Sequence, residues 1–302
     1  MNNVIEIKNL SKSYKGLKAV KDLSFTVRES SLFAFLGENG AGKSTTISII
    51  CGILQKDEGT VIVNGHDIDK EMNLIKNDLG VVFQSSVLDK QLSVRENLKH
   101  RASLYGIIGK DFDNRLKELA ELFDFEDFID RPLMKLSGGQ KRKIDIARAL
   151  VHKPKILILD EPTTGLDPQT RKNVWDVLTN LRKTEKMTIL LTTHYMEEAS
   201  EANHILIIDR GEKIAEGTPI ELKDRYANDN IFIYDVSEDD IKKLNVSYIK
   251  IPSGYKVEID STEKATKLIV DNPEIFKNYE IIKGKMDDVF LNVTGKHLEE
   301  VK

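Results

Sequence analysis

The chain has 302 residues, enough for about two domains at roughly 100 to 200 residues each. Lys plus Arg number 45 and Asp plus Glu 49, a formal net charge of −4, which is too balanced for a dedicated polyanion binder. A hydrophobic fraction of 40% with 7% aromatics excludes a disordered or fibrous chain.

The longest unbroken apolar run, Leu32 to Leu36, is far below the roughly 18 to 20 residues of a membrane-spanning helix. The N-terminal stretch mixes Glu6 and Lys8 into an alternating pattern and lacks the basic and long apolar regions of a signal peptide, so a cytoplasmic location is expected. Cys51 is the single cysteine. It permits neither an intrachain disulfide nor a Cys/His metal cluster and reads as a small buried apolar residue.

Val4-Ile5-Glu6-Ile7 and Leu23-Ser24-Phe25-Thr26-Val27 alternate like half-buried strands, and Ser31 to Leu36 is a short apolar run ending in glycine. A helix-length stretch, Ser44 to Leu54, precedes a strand over Gly59 to Val63 closed by the Asn64-Gly65 turn signal, and another strand runs from Leu79 to Phe83. From Ser93 to Leu150 the period becomes helical. Val94, Leu98 and Ala102 recur at fours, and Leu116, Leu119, Ala120 and Phe123 form a stripe. Strand runs return at Ile156–Leu159, Thr188–Leu191 and Ile205–Ile208, and their alternation with helix-length segments predicts a mostly parallel sheet covered by helices. The polar break Asn228-Asp229-Asn230 predicts a boundary between residues 1–227 and 228–302. The second part reads as a small α+β module from Ile231–Tyr234, Tyr248–Ile251, Tyr255–Ile259 and a helical Glu263–Val270.

The strongest local signal is Gly37-Glu38-Asn39-Gly40-Ala41-Gly42-Lys43-Ser44, followed by Thr45. It fits G-x-x-x-x-G-K-[ST] between a strand and a helix, the P-loop. Glycines let backbone N–H groups close around phosphates, and the helix that follows adds its positive end. In that reading Lys43 neutralises β- and γ-phosphate charge and Ser44 ligates Mg²⁺. The apolar run Ile156 to Leu159 delivers Asp160 and Glu161 at a strand's carboxyl end, where ligands of open α/β sheets gather. Asp160 suits the Mg²⁺ shell, and Glu161 suits the polarisation of an attacking water. Leu136-Ser137-Gly138-Gly139-Gln140 opens a second helix and so makes a second anion site.

With that run in place the sequence resembles the ATP-binding subunits of ABC transporters, whose signature is LSGGQ. The matching elements stand in the family's order over about residues 1 to 225: an aromatic, Tyr14, for stacking on adenine; the P-loop; Gln84 at a strand end; Ser137 to Gln140; Asp160-Glu161; Gly165-Leu166-Asp167 as D-loop; and His194 after Leu191-Thr192-Thr193 as switch histidine. The resemblance implies a P-loop NTPase fold of ABC type, with antiparallel N-terminal strands and a helical subdomain over about residues 85–155. It further implies ATP and Mg²⁺ as ligands, Gln84 beside Ser44 and Asp160 at the metal, and catalytic roles for Glu161, His194 and Lys43. The partners it implies are a second copy, joined head to tail with nucleotide between P-loop and signature, and a transmembrane permease met near Gln84 and residues 85–105. The chain would then lie peripheral to the inner face of the cell membrane. Similarity to the drug- and lipid-export branch rests on Leu36–Thr46, Thr192–Ala199 and Met286-Asp287-Asp288-Val289-Phe290-Leu291.

A soluble ABC ATPase acting on ribosomes or DNA would carry the same motifs. Residues 131 to 155 do hold eight Lys/Arg against one acid, Asp145. With no aromatics interleaved and a net negative chain, this run reads as a solvated helix near triphosphates, and no nucleic-acid partner is expected. A small-molecule kinase would leave the signature and Glu161 without a role.

Overall fold

A computed structural model describes residues 2–295. Two compact units emerge, Met1–Lys213 and Ile214–Lys302. In the first, β1 (Asn3–Tyr14) and β2 (Leu17–Arg28) form a long antiparallel ribbon. They are followed by β3 (Leu32–Leu36), α1 (Lys43–Ile50), β4 (Glu58–Val63), β5 (His66–Asp67), α2 (Met72–Ile75) and β6 (Leu79–Val82). The helical part holds α3 (Val94–Ser103), α4 (Gly109–Phe123) and α5 (Gly138–Leu150). The chain then runs through β7 (Ile156–Asp160), α6 (Pro168–Glu185), β8 (Thr188–Thr193), α7 (Met196–Ser200) and β9 (His204–Asp209) to β10 (Glu212–Gly217), within which the division between the units falls.

Two sheets result: an antiparallel one in the order β2-β1-β4-β5, and a six-stranded one in the order β10-β9-β3-β8-β7-β6 whose β9, β3, β8, β7 and β6 are parallel neighbours. Every residue of β3, β7 and β8 is buried, which is why these strands read as continuous apolar runs rather than alternations. Phe25 of β2 stacks on Phe33 at 5.3 Å and lies 5.6 Å from Phe35, joining the sheets through one core that also takes in Ile47, Ile49 and Ile50 of α1. Parallel pairing brings the carboxyl ends of β3, β7 and β8 to one edge of the sheet.

The predicted helix Ser44–Leu54 ends early, at Cys51. Gly52 has φ +67°, and a Cβ there would lie 2.3 Å from the Met72 methyl, so the chain turns under α2 at a left-handed position that favours glycine and that a side chain would share with Met72. The apolar fours of the helical part behave as read: Val94, Leu98, Ala102, Leu116, Leu119, Ala120 and Phe123 are all buried.

The second unit starts before the break at Asn228. After α8 (Pro219–Tyr226) come β11 (Asp229–Tyr234), α9 (Glu238–Lys243), β12 (Tyr248–Ile251), β13 (Gly254–Ile259), α10 (Thr262–Asp271), β14 (Tyr279–Ile282) and α11 (Met286–Thr294). α8 packs against α11, with Asn292 Nδ2 donating to the Tyr226 carbonyl at 2.8 Å, so it groups with this unit rather than with the boundary read at 227/228. The antiparallel sheet order β12-β13-β11-β14 in a β-α-β-β-α-β chain is the ferredoxin-like arrangement. Ile231, Ile233, Ile241, Val257 and Ala265 fill its core.

Candidate functional site

The P-loop leaves β3 at Gly37 and enters α1 at Lys43. Gly42 has φ +106°, and a Cβ on it would sit 2.5 Å from the Ala19 carbonyl oxygen, so neither the conformation nor the space admits a side chain. α1 starts on Gly42 with no side-chain cap, which leaves its first-turn N–H groups to a ligand and adds the positive end of the helix. These groups open on a cavity of about 390 Å³ lined by Ala19, Asn39, Gly40, Gly42, Lys43, Ser44, Thr45, Gln84 and Glu161.

Lys43 is 4% exposed. Its ammonium donates to the carbonyls of Gly37 at 2.6 Å and Glu38 at 3.0 Å, and lies 3.5 Å from Glu161 Oε1. Burial pulls its pKa down, with the Glu161 carboxylate the main influence in the other direction. Ser44 Oγ donates to Asp160 Oδ1 at 3.2 Å, and Thr192 Oγ1 donates to the same oxygen. A hydroxyl and a carboxylate side by side at the mouth of an anion cradle are hard oxygen donors of the kind Mg²⁺ prefers. Among the described residues no cluster of three or more His, Cys, Asp or Glu offers a self-sufficient metal cage. The donor set thus fits an ion that completes its shell with phosphate oxygens and water.

Glu161 sits just past β7 with φ +47°, a left-handed conformation that costs a non-glycine residue about 1 kcal/mol or more. It is held there by its own N–H, which donates to Thr192 Oγ1 at 3.0 Å and the Thr192 carbonyl at 3.2 Å. Its Oε2 accepts from Gln84 Nε2 and Thr164 Oγ1, each at 3.2 Å. Nδ1 of His194 is 3.5 Å from its Oε1 and has no hydrogen-bond partner. A carboxylate that accepts from an amide and a hydroxyl, faces an imidazole and opens on the cavity of the P-loop is oriented as a general base needs to be.

The structure brings Gly40, Gly42, Lys43, Ser44, Thr45, Asn39, Gln84 and Glu161 to one cavity, with Asp160 and His194 bonded or adjacent to them. Gly37 opens the same loop, and Ala41 is packed beneath it at 3% exposure. Tyr14, Ser137, Gly138, Gly139, Gln140 and Asp167 do not line that cavity. Tyr14 is 45% exposed with Lys12 Nζ 5.9 Å from its ring centre. Ser137 and Gln140 form a capping box at the start of α5, each accepting from the other's N–H. Asp167 caps α6 by accepting from the Thr170 N–H at 3.0 Å, and Thr170 abuts Gly139, where an added Cβ would lie 2.6 Å from it.

One expectation is corrected. The basic run 131–155 is not solvated throughout, because Arg142 is 8% exposed and its guanidinium donates to four carbonyls. These belong to Pro162 at 2.6 Å, Phe83 at 2.8 Å, Glu161 at 3.0 Å and Asp160 at 3.2 Å. Arg142 therefore ties α5 to the residue before Gln84 and to the loop carrying Glu161. The sequence signal for it was its place two residues after the signature, on the helix face shared with the buried Asp145 and Ala149.

Residues 20–164 match the family profile described as ABC transporter. The linearmycin resistance ATP-binding protein LnrL of Bacillus subtilis is 39% identical over 312 residues, spanning 98% of this chain and 100% of that one. The Nod factor export ATP-binding protein I of Sinorhizobium fredii is 34% identical over 98% of this chain and 87% of its own. The daunorubicin/doxorubicin resistance ATP-binding protein DrrA of Streptomyces peucetius is 35% identical over 96% and 92%. Among solved structures, cbiO1 of Clostridium perfringens, part of an ABC transporter complex, superposes with TM-score 0.67 at 29% identity over 74% of this chain and 91% of that one. An ATP-binding cassette solved as a dimer in a post-hydrolysis state with ADP and Pi gives TM-score 0.66 at 28% identity over 71% and 98%. With Gly37–Ser44, Leu136–Gln140, Asp160-Glu161 and His194 in sequence on an ABC cassette fold, and with relatives more than 30% identical along almost its whole length, the chain belongs to the ATP-binding proteins of the ABC transporter family.

Proposed function

We propose that this chain binds and hydrolyses ATP to drive export of a substrate through a separate transmembrane permease, acting as a head-to-tail homodimer at the inner face of the cell membrane. The observation that carries the reading is the division of one phosphate-handling apparatus between two places. P-loop, Gln84 and Glu161 share a cavity, whereas the signature presents a second helix start whose side chains cap each other. A second copy turned head to tail supplies the missing half of each cavity, so that each site is composite.

ATP is the substrate. As its phosphates enter, they take the place of the Gly37 and Glu38 carbonyls as acceptors for the Lys43 ammonium, and the N–H groups of Gly40 to Thr45 cradle them. Ser44 and Asp160, with Gln84 beside them, would hold Mg²⁺, which supplies neutralisation of the β- and γ-phosphate charge. Glu161 Oε1 takes a proton from the water that attacks the γ-phosphorus. A new P–O bond forms, and the bond to the β–γ bridging oxygen breaks with its electron pair leaving on ADP. His194 reaches the same oxygen of Glu161 and suits a contact to the γ-phosphate. Such a site works by positioning and charge stabilisation, and assembling it only on closure links turnover to dimer motion.

Among the described residues no helix is long and apolar enough to cross a membrane, which supports a translocation path built by another polypeptide. The names of the relatives, export and resistance ATP-binding proteins, support export as the direction. The test is a pull-down of Glu161→Gln protein from detergent-solubilised cells with ATP and Mg²⁺. A polytopic membrane protein in stoichiometric yield is the expected result, and ribosomal proteins or nucleic acid in its place would move the chain to the soluble ABC ATPases.

A further inference from the structure

Glu198 lies on α7, five residues past Thr193, and is 3% exposed. Burying a carboxylate is costly unless both oxygens find donors. Here both do: Oε2 accepts from Thr193 Oγ1 at 2.7 Å, and Oε1 accepts from Thr163 Oγ1. The two threonines are 1% and 0% exposed. Nothing in the nucleotide-handling scheme uses this acid, yet its two partners flank the reacting groups. Thr163 stands two residues after Glu161, and Thr193 immediately precedes His194.

The local bonds fix the direction of the Thr193 proton. Thr193 Oγ1 already accepts from the Tyr195 N–H at 2.9 Å, so its hydroxyl hydrogen goes to Glu198. One acceptor-only side chain therefore ties the segment behind the base to the segment that aims the imidazole. A carboxylate fits this role better than an amide, because two hydroxyls converge on it as donors and an amide offers one acceptor and a donating NH₂ group.

We propose that Glu198 is a positioning residue for ATP hydrolysis: by holding Thr163 and Thr193 together it sets the spacing of Glu161 and His194, whose Oε1 and Nδ1 stand 3.5 Å apart. The inference rests on the roles given to Glu161 and His194 above. Misplacing a catalytic group by about 1 Å is enough to cost on the order of 100-fold in rate, while ATP binding, which depends on the P-loop at the other side of the cavity, is untouched.

The test uses the full chain and compares Glu198→Ala, Glu198→Gln and the shape-preserving pair Thr163→Val with Thr193→Val. Glu198→Ala is expected to lower kcat by about 10- to 100-fold with ATP affinity, measured by equilibrium binding, within about twofold of the parent. Glu198→Gln is expected to recover most of that loss, since its carbonyl serves Thr193 and Thr163 can turn to accept from the amide. The double valine variant should match Glu198→Ala without altering the acid itself. In a His194→Ala background, Glu198→Ala should add little further loss, because the spacing it guards no longer matters.

Turnover within twofold of the parent in Glu198→Ala, or in the double valine variant should the alanine not fold, overturns the proposal. So does a parallel loss of kcat, ATP affinity and melting temperature, which would mark a general packing role. Glu161→Gln run alongside separates the two layers: if it retains turnover, the assignment of the base fails, whereas an inactive Glu161→Gln with an unaffected Glu198→Ala removes only this inference.

Discussion

Replacing Arg142 by lysine keeps the charge and removes the fork. In the parent, Nε donates to Pro162, Nη1 to Phe83 and Nη2 to Asp160 and Glu161, at 2.6, 2.8, 3.2 and 3.0 Å. A single ammonium nitrogen reaches one of these directions, leaving at least two buried carbonyl positions without their donor. Each such loss costs about 1 to 3 kcal/mol, so Arg142→Lys should lower stability by about 3 kcal/mol. Because Phe83 precedes Gln84 and the Glu161 carbonyl belongs to the proposed base, the same change should reduce kcat by about 10- to 100-fold, with a smaller effect on ATP affinity. Urea unfolding followed by Trp175 fluorescence gives the first quantity and steady-state phosphate release the second. Stability within about 0.5 kcal/mol of the parent, the usual scatter of surface substitutions, together with unchanged kcat would refute the clamp.

His152 donates from Nε2 to the Leu79 carbonyl at 3.0 Å and stacks on Tyr105 at 3.9 Å, and burial above all lowers its pKa from 6.5 to about 4. A base depressed in the folded state contributes stability above its unfolded pKa that is lost as pH falls from about 6.5 to 4, worth about 2 kcal/mol after allowing for solvent screening. His152→Phe should flatten that slope of stability against pH, and an unchanged slope would show that other groups set it. Burial, aided by the charge of Asp160, raises the Cys51 thiol from 9.0 to about 12, so iodoacetamide at pH 8 should label the folded protein roughly 1,000-fold more slowly than the unfolded one. Comparable rates in the two states would contradict it. Ser137→Arg, mixed with the parent chain, should block one cavity of each hybrid dimer, and hybrids that hydrolyse normally at both sites would rule out composite sites.

The nucleotide motifs were legible because each is contiguous and bounded by the elements that aim it. Five buried residues of β3 end on Gly37, and five of β7 end on Asp160. The contacts that join the motifs were not legible, since they depend on register between distant strands. Asp160 lies opposite Thr192 only because β7 and β8 pair in parallel, and that pairing alone places Thr192 on the Glu161 N–H. Charge alone groups Arg142 with its neighbours on a solvated face, and only the packing of α5 against the loop after β7 turns it inward. In the second unit, β14 with its exposed Tyr279 and Glu280, and the acid-rich α9 with one buried residue, Ile241, carry too little apolar pattern to be found without the sheet that seats them.

Glu161→Gln asks whether Glu161 is the base of a composite ATP site. The amide is isosteric and can keep a hydrogen bond with Thr164, but it cannot take a proton from water. Equilibrium ATP binding should stay near the parent value and steady-state phosphate release should nearly vanish. Size-exclusion chromatography with light scattering should show a dimer that persists with ATP and dissociates with ADP. Phosphate release at the parent rate would contradict the assignment of the base, and a monomer under ATP would contradict the composite site.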